Sequence, residues 1–135
     1  MKTAPEASPL FLAIETATMT GSVALFEGSH LLGCIEIHQA KSHARLLTPM
    51  IQTLLADLGV RPADLTAIGV GRGPGSYTGL RVGVSTAKGL CMALDKPLLA
   101  FDSLAGLAGQ VQELAERLPA RIIPLIDARR MEVYT

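Results

Sequence analysis

Residues 72–94 constrain the fold more than any other stretch: Arg-Gly-Pro-Gly-Ser-Tyr-Thr-Gly-Leu-Arg-Val-Gly-Val-Ser-Thr-Ala-Lys-Gly-Leu-Cys-Met-Ala-Leu. An apolar run, Ala67–Gly71, leads into it and predicts a short strand. Gly73, Gly75 and Gly79 around Pro74 let the backbone turn sharply and come close to another surface. A helix follows, and its first turn leaves N–H groups free at the positive end of the dipole. A loop of this kind either holds an anion or phosphate or is a strand-to-helix connection that needs glycine for its geometry.

The helix adds a second constraint. At about 100° per residue, Leu80, Val84, Ala87, Cys91 and Leu94 share one face, the expected core stripe. Val82, Thr86, Gly89 and Ala93 lie nearly opposite and are small or apolar too, with Gly79, Gly83 and Leu90 in the arc between. Only Arg81, Ser85, Lys88 and Met92 form a strip suited to water. A helix apolar nearly all round is covered on both sides. One cover is its own sheet, and the other must be a second helix, a second domain or another chain.

Elements of the expected order surround this unit. Leu10–Glu15 predicts a buried central strand ending in an acid. A threonine-rich turn follows, then strands over 22–26 and 31–38 joined by Glu27-Gly28-Ser29, which makes an antiparallel meander. Cys34, Glu36 and His38 alternate with Ile35 and Ile37. Ser42 caps a helix over 42–58 with Gly59 after it, where Pro49 either kinks the axis or starts a shorter helix. Its stripe is Leu47, Ile51, Leu54, Leu55 and Leu58, widened on one shoulder by Leu46 and Met50 beside His43. Asp64 caps one further helical turn. Leu98–Phe101 predicts another strand, Asp102 or Ser103 caps a helix over 104–118, and 121–126 and 131–135 predict a hairpin turning at Asp127-Ala128-Arg129. Right-handed crossovers place the two later strands parallel to the first. The expected fold is α/β, a mixed five-stranded sheet with flanking helices. Residues 1–9 read as a leader, 10–118 as one domain and 119–135 as the start of a second copy of the same plan.

Charge and composition narrow the function. Twelve Lys plus Arg balance 12 Asp plus Glu, which argues against a stand-alone nucleic-acid binder, although Arg129 and Arg130 are adjacent. Aromatics at 4% leave few platforms for stacking bases. Cys34 and Cys91 sit in apolar contexts, suit buried thiols in a reducing compartment and make no zinc spacing. Neither a signal peptide nor a membrane span is visible, so the expected location is cytoplasmic.

The glycine loop fails the Walker pattern, since Leu80-Arg81 follows Gly79, and it fails the nucleophile elbow, since Tyr77 stands where serine would. It misses the dinucleotide fingerprint by one position. His30, His38 and His43 show no metal spacing. Glu15 either positions a metal or water for phosphoryl transfer or is a structural hydrogen-bonding group. Thr16, Thr18, Thr20, Gly21 and Ser22 either hold a phosphate or form a polar hairpin turn. The candidate phosphate- or nucleotide-contacting set is therefore Glu15, Thr16, Thr18, Gly21, Gly73, Gly75 and Ser76. The candidate partner-binding set is His43, Leu46, Met50, Val82, Thr86, Gly89 and Ala93.

Ile14-Glu15-Thr16-Ala17-Thr18 with Gly21-Ser22-Val23-Ala24-Leu25, and the run from Gly71 through Gly83 with Ala87-Lys88-Gly89-Leu90, together resemble the TsaB (YeaZ) family. Ser42-His43 with Leu46-Leu47 and Pro49, and Lys96-Pro97-Leu98 with Asp102-Ser103-Leu104, agree with it. The resemblance covers nearly all of residues 10–135. It implies a ribonuclease-H-like half of the actin, Hsp70 and sugar-kinase (ASKHA) fold. It also implies a process, N6-threonylcarbamoyl modification of the adenosine beside the anticodon in tRNAs that read codons beginning with A. The catalytic paralogue TsaD has a similar Gly-Pro-Gly segment, followed by a run whose two histidines bind a metal. Ser103 and Leu107 stand at those two positions here, and leucine cannot ligate a metal. The resemblance therefore implies a non-catalytic scaffold subunit with no tightly bound metal or cofactor, ATP or ADP entering only in the complex. The implied partners are a second copy through the two early helices, TsaD, the ATPase subunit TsaE and, indirectly, tRNA. The family was once described as peptidase-like, but the sequence offers no peptidase nucleophile or zinc site. The alternative function is an ATP-dependent phosphotransferase or nucleotidase built on Glu15, the threonine turn and the glycine loop.

Overall fold

The computed structural model describes residues 8–39, 42–111 and 121–135. Strands β1 (Leu10–Glu15), β2 (Gly21–Glu27) and β3 (His30–Ile37) form the meander, and β4 (Ala67–Gly71) and β5 (Leu98–Phe101) follow helices α1 (His43–Asp57) and α2 (Tyr77–Leu94). The sheet order is β3-β2-β1-β4-β5. β1 pairs antiparallel with β2 and parallel with β4, and β4 pairs parallel with β5. This is the mixed α/β sheet expected, with its central strand flanked on both sides.

Period-two alternation decides which side is covered. Leu12, Ile14, Val23, Leu25, Ile68 and Val70 are all at most 2% exposed and face α1 and α2. Phe11, Ala13, Ala24 and Phe26, the residues between them, are half-buried on the other side. α1 contributes Leu47, Met50, Ile51, Leu54 and Leu55 to the core. It continues through Pro49, which is exposed, as is Arg45, whose carbonyl loses its hydrogen bond and has solvent at hand. Ser42 caps α1 by position alone: its hydroxyl donates to the Gln39 carbonyl at 2.6 Å. Around Asp64 the expected helical turn is a short 3-10 turn, Pro62–Asp64, closed by a two-pronged pair from Arg61 to Asp64.

Several expectations are corrected. α2 begins at Tyr77, two residues ahead of Gly79, because the Ser76 hydroxyl caps it by accepting from the Gly79 N–H. Its buried residues are Gly79, Gly83, Ala87 and Cys91, so the core stripe is rotated toward the glycines and Leu80, Val84 and Leu94 are only half-buried. Cys34 is exposed on β3, an edge strand that pairs only with β2 among the described residues. Helix α3 (Ser103–Gly109) is capped by Asp102, whose carboxylate accepts from the Ala105 N–H at 2.9 Å; the rest of the expected helix, 112–118, lies outside the described residues, as do 1–7 of the leader. The last hairpin falls later than expected. Residues 121–125 are irregular, β6 is Ile126–Arg129 and β7 is Glu132–Tyr134. Arg129, Arg130 and Met131 have φ of 67°, 53° and 64°, so the chain reverses there and not at Asp127-Ala128-Arg129. β6 and β7 pair only with each other among the described residues.

Candidate functional site

The threonine turn after β1 and the glycine loop after β4 lie side by side, because β1 and β4 are parallel neighbours. They touch at their base, and a cleft of about 770 Å³ opens beside them, lined by Thr18, Thr20, His43, Ser76, Thr78 and Arg129. The Thr16 hydroxyl donates to the Gly79 carbonyl at 2.8 Å, and Thr16 is fully buried. The Ser76 N–H donates to the Ala17 carbonyl at 2.6 Å. A Cβ added at Gly75 would overlap the Ala17 carbonyl, one at Gly79 the Thr16 carbonyl, and one at Gly83 the Thr16 hydroxyl. A Cβ at Gly71 would overlap the Glu15 carboxylate. Four glycines are therefore a socket for residues 15–17, and the loop glycines serve close approach of chain to chain. Gly73 differs: its φ of +94° is the conformation that glycine adopts without steric cost.

Glu15 is the centre of the arrangement. Its Oε1 accepts from the N–H groups of Thr16 (2.8 Å) and Ala17 (2.7 Å), which shapes the turn. Its Oε2 accepts from the Ser103 hydroxyl at 2.7 Å. That hydroxyl in turn accepts from the Gly73 N–H at 3.2 Å, and the Ser103 N–H donates to the Gly73 carbonyl at 2.9 Å. Three of the roughly four lone-pair positions of the carboxylate are thus taken by the protein. Ser103 sits at the first turn of α3, is 6% exposed, and ties β1, the glycine loop and α3 together. The sequence offered Ser103 as a candidate helix cap, and the resemblance set it at the place of a histidine in the paralogue; its partnership with Glu15 crosses 88 residues and has no local signal. Gly71 and Gly83 were missed for the same reason.

The remaining candidates are placed as follows. Thr18 is exposed and its hydroxyl donates to the Thr20 carbonyl within its own turn. Gly21 has no room for a side chain because the His43 ring lies against it, and the buried His43 Nε2 has no hydrogen-bond partner among the described residues. Met50 is 7% exposed in the core, which corrects its placement on a partner surface. Leu46, Val82 and Thr86 are half-buried, with Leu46 and Val82 packed against the core between α1 and α2. Gly89 and Ala93 are exposed, and nothing lies within 4 Å of the space a Cβ at Gly89 would occupy. The fully solvent-facing side of α2 also carries Met92 (85% exposed) and Tyr77 (75%), with the Arg81 guanidinium 5.4 Å from the Tyr77 ring centre.

Among the described residues no three His, Cys, Asp or Glu side chains come together in a way that could hold a metal ion, and no helix is long and apolar enough to cross a membrane. Burial pushes the Cys91 thiol above its ordinary value. At Cys34, partial desolvation and then the nearby Glu36 carboxylate do the same.

Residues 30–135 match the family described as TsaD: tRNA N6-adenosine threonylcarbamoyltransferase. The chain is 39% identical over 124 residues to the tRNA threonylcarbamoyladenosine biosynthesis protein TsaB of Bacillus subtilis, covering 92% of this chain and 52% of the relative. The Escherichia coli protein of the same name is 35% identical over 123 residues, with 91% and 52% covered. YeaZ from Pseudomonas aeruginosa superposes with a TM-score of 0.82 at 37% identity, over 93% of this chain and 57% of that one. The chain thus spans about half the length of the relatives it matches.

Proposed function

The chain belongs to the TsaB (YeaZ) family, and from that premise we propose that it works as a non-catalytic scaffold in N6-threonylcarbamoyladenosine modification of tRNA. It binds the catalytic paralogue TsaD, forms a homodimer when TsaD is absent, and meets the ATPase subunit TsaE and tRNA through the complex in the cytoplasm. It keeps no tightly bound cofactor of its own, and ATP or ADP enters only with the partners.

The observation that carries this reading is the hydrogen bond from Ser103 to Glu15. A phosphotransferase built on Glu15 needs a carboxylate free to hold a metal or a water. Here the carboxylate is occupied by two backbone N–H groups and one hydroxyl. The residues offered for a phosphate are mostly spent on each other: Thr16 on Gly79, Gly75 and Ser76 on Ala17, and Gly21 on His43. The partner surface is supported by the solvent-facing side of α2, where Gly89 and Ala93 let a second backbone approach closely beside an exposed Met92. Burying such a surface contributes roughly 25 cal/mol per Å² of apolar area before association costs, so packing outweighs charge there.

Co-purification with TsaD, followed by a modification assay with and without this protein, tests the role. Modification that proceeds at full rate without it refutes the scaffold, as does ATP turnover by this protein alone that is lost in Glu15→Ala.

A further inference from the structure

The glycine loop and the first turn of α2 are held from two directions. Among the described residues, four hydrogen bonds tie residues 73–79 to the chain outside the loop and α2. Two go to Ser103: its N–H donates to the Gly73 carbonyl, and its hydroxyl accepts from the Gly73 N–H. Two go to the turn after β1: the Ala17 carbonyl accepts from the Ser76 N–H, and the Thr16 hydroxyl donates to the Gly79 carbonyl. Glu15 joins the two pairs. Its Oε1 holds the N–H groups of Thr16 and Ala17, which aims that turn at α2, and its Oε2 takes the Ser103 hydroxyl. Ser103 thus bears on all four bonds, two directly and two through Glu15.

The rest of α2 is held differently. Gly83, Ala87 and Cys91 are its buried contacts beyond the first turn, and burial of apolar surface is non-directional. A hydrogen bond is directional and weakens steeply as it bends. The four bonds therefore set where α2 starts and how it is tilted, while packing keeps it against the sheet. The solvent-facing side with Gly89, Met92 and Ala93 moves with that first turn. From Tyr77 to Ala93 the helix runs about 24 Å, so a tilt of about 2.5° at its start shifts the far end by about 1 Å. A surface of glycine and alanine works by close approach, and a gap of about 0.5–1 Å forfeits about a quarter to a half of each contact.

We propose that Ser103 is a positioning residue for the partner-binding side of α2: directly through Gly73, and through Glu15 and the threonine turn, it sets the tilt on which partner affinity depends. This rests on the scaffold reading above. The test titrates the full chain against TsaD, with circular dichroism confirming the fold of each variant. Ser103→Ala should weaken binding about fivefold or more, the lower end of the coupling between two sites. The control is Leu25→Ala, a cavity at a fully buried position of β2 that destabilises at least as much and touches none of the four bonds; it should bind within about twofold of the wild type. Residual dipolar couplings of the α2 amides, taken against those of β1 and β2, read the tilt without TsaD: they should change in Ser103→Ala and hold in Leu25→Ala. If Ser103→Ala does not fold, Thr16→Val, which removes the donor to Gly79 at nearly the same shape, is read in its place. Equal weakening in Leu25→Ala overturns the proposal, because lost stability then explains the effect. Unchanged couplings also overturn it. Ser103→Ala that binds like the wild type overturns it and leaves the scaffold reading standing, whereas a wild-type chain that captures no TsaD refutes both.

Discussion

Replacing glycine by alanine at two positions of α2 should have opposite effects. In a helix interior the change ordinarily stabilises by about 0.5–1 kcal/mol, because alanine loses less backbone entropy. Within one chain Gly89 has nothing within 4 Å of the new methyl, so at protein concentrations low enough to keep the chain monomeric Gly89→Ala should show that full gain. At Gly83 the new methyl overlaps the hydroxyl of the fully buried Thr16. Overpacking costs about 1–3 kcal/mol, and pushing that hydroxyl off the Gly79 carbonyl costs about 1 kcal/mol more. Offset by the propensity gain, Gly83→Ala should destabilise by about 1–3 kcal/mol, which lowers a urea midpoint by on the order of 1 M. The assay is equilibrium urea unfolding followed by circular dichroism. Adding Thr16→Ala removes the obstructing group, so in the Gly83→Ala background it should cost about 1–2 kcal/mol less than it does alone. If Gly83→Ala stabilises as much as Gly89→Ala, the reading of the glycines as a socket is wrong.

Ser103→Ala takes one hydrogen bond from a carboxylate and one from the Gly73 N–H, and should destabilise by about 2–4 kcal/mol in the same assay. Gly89→Trp should leave the circular dichroism spectrum intact yet abolish the dimer by sedimentation and weaken TsaD capture; a folded variant that stays dimeric and still binds TsaD moves the interface elsewhere. The Cys34 thiol is raised by desolvation and by Glu36, so at pH 8 it holds less thiolate than an unperturbed cysteine. Iodoacetamide should therefore label it more slowly than a peptide thiol, and Glu36→Gln should speed the reaction, as read by mass spectrometry.

Hydrophobic rhythm made much of the architecture legible. Ala67–Gly71 and Leu98–Phe101 form strands over the expected residues because short apolar runs between turn residues have few alternatives. The rotation of α2 was not legible. A wheel weights Leu80 and Val84 over Gly79 and Gly83, but burial there is set by how closely Thr16 approaches, and glycine is what permits that approach. Met50 misled for a related reason, since a core-facing methionine and a partner-facing one look identical in a pattern. The largest gap was at Glu15. An acid at the end of a strand, before a polar turn, has the same local pattern whether it serves chemistry or structure. Here the deciding neighbour, Ser103, comes from the start of a helix far along the chain.

The socket also dictates an order of events during folding. β1 and β2 are adjacent in sequence and can pair early, since a hairpin closes a short loop. The turn that joins them takes its shape from Gly79, 63 residues on, and from Ser103, 88 residues on. On a ribosome making about 5–20 residues per second, the hairpin exists for several seconds before either partner has been synthesised. Through that interval Glu15 and Thr16 are solvated, and the turn is free to sample other conformations. The docking of α2 and then of α3 is what ends it, so segments made well after the first strand complete its end.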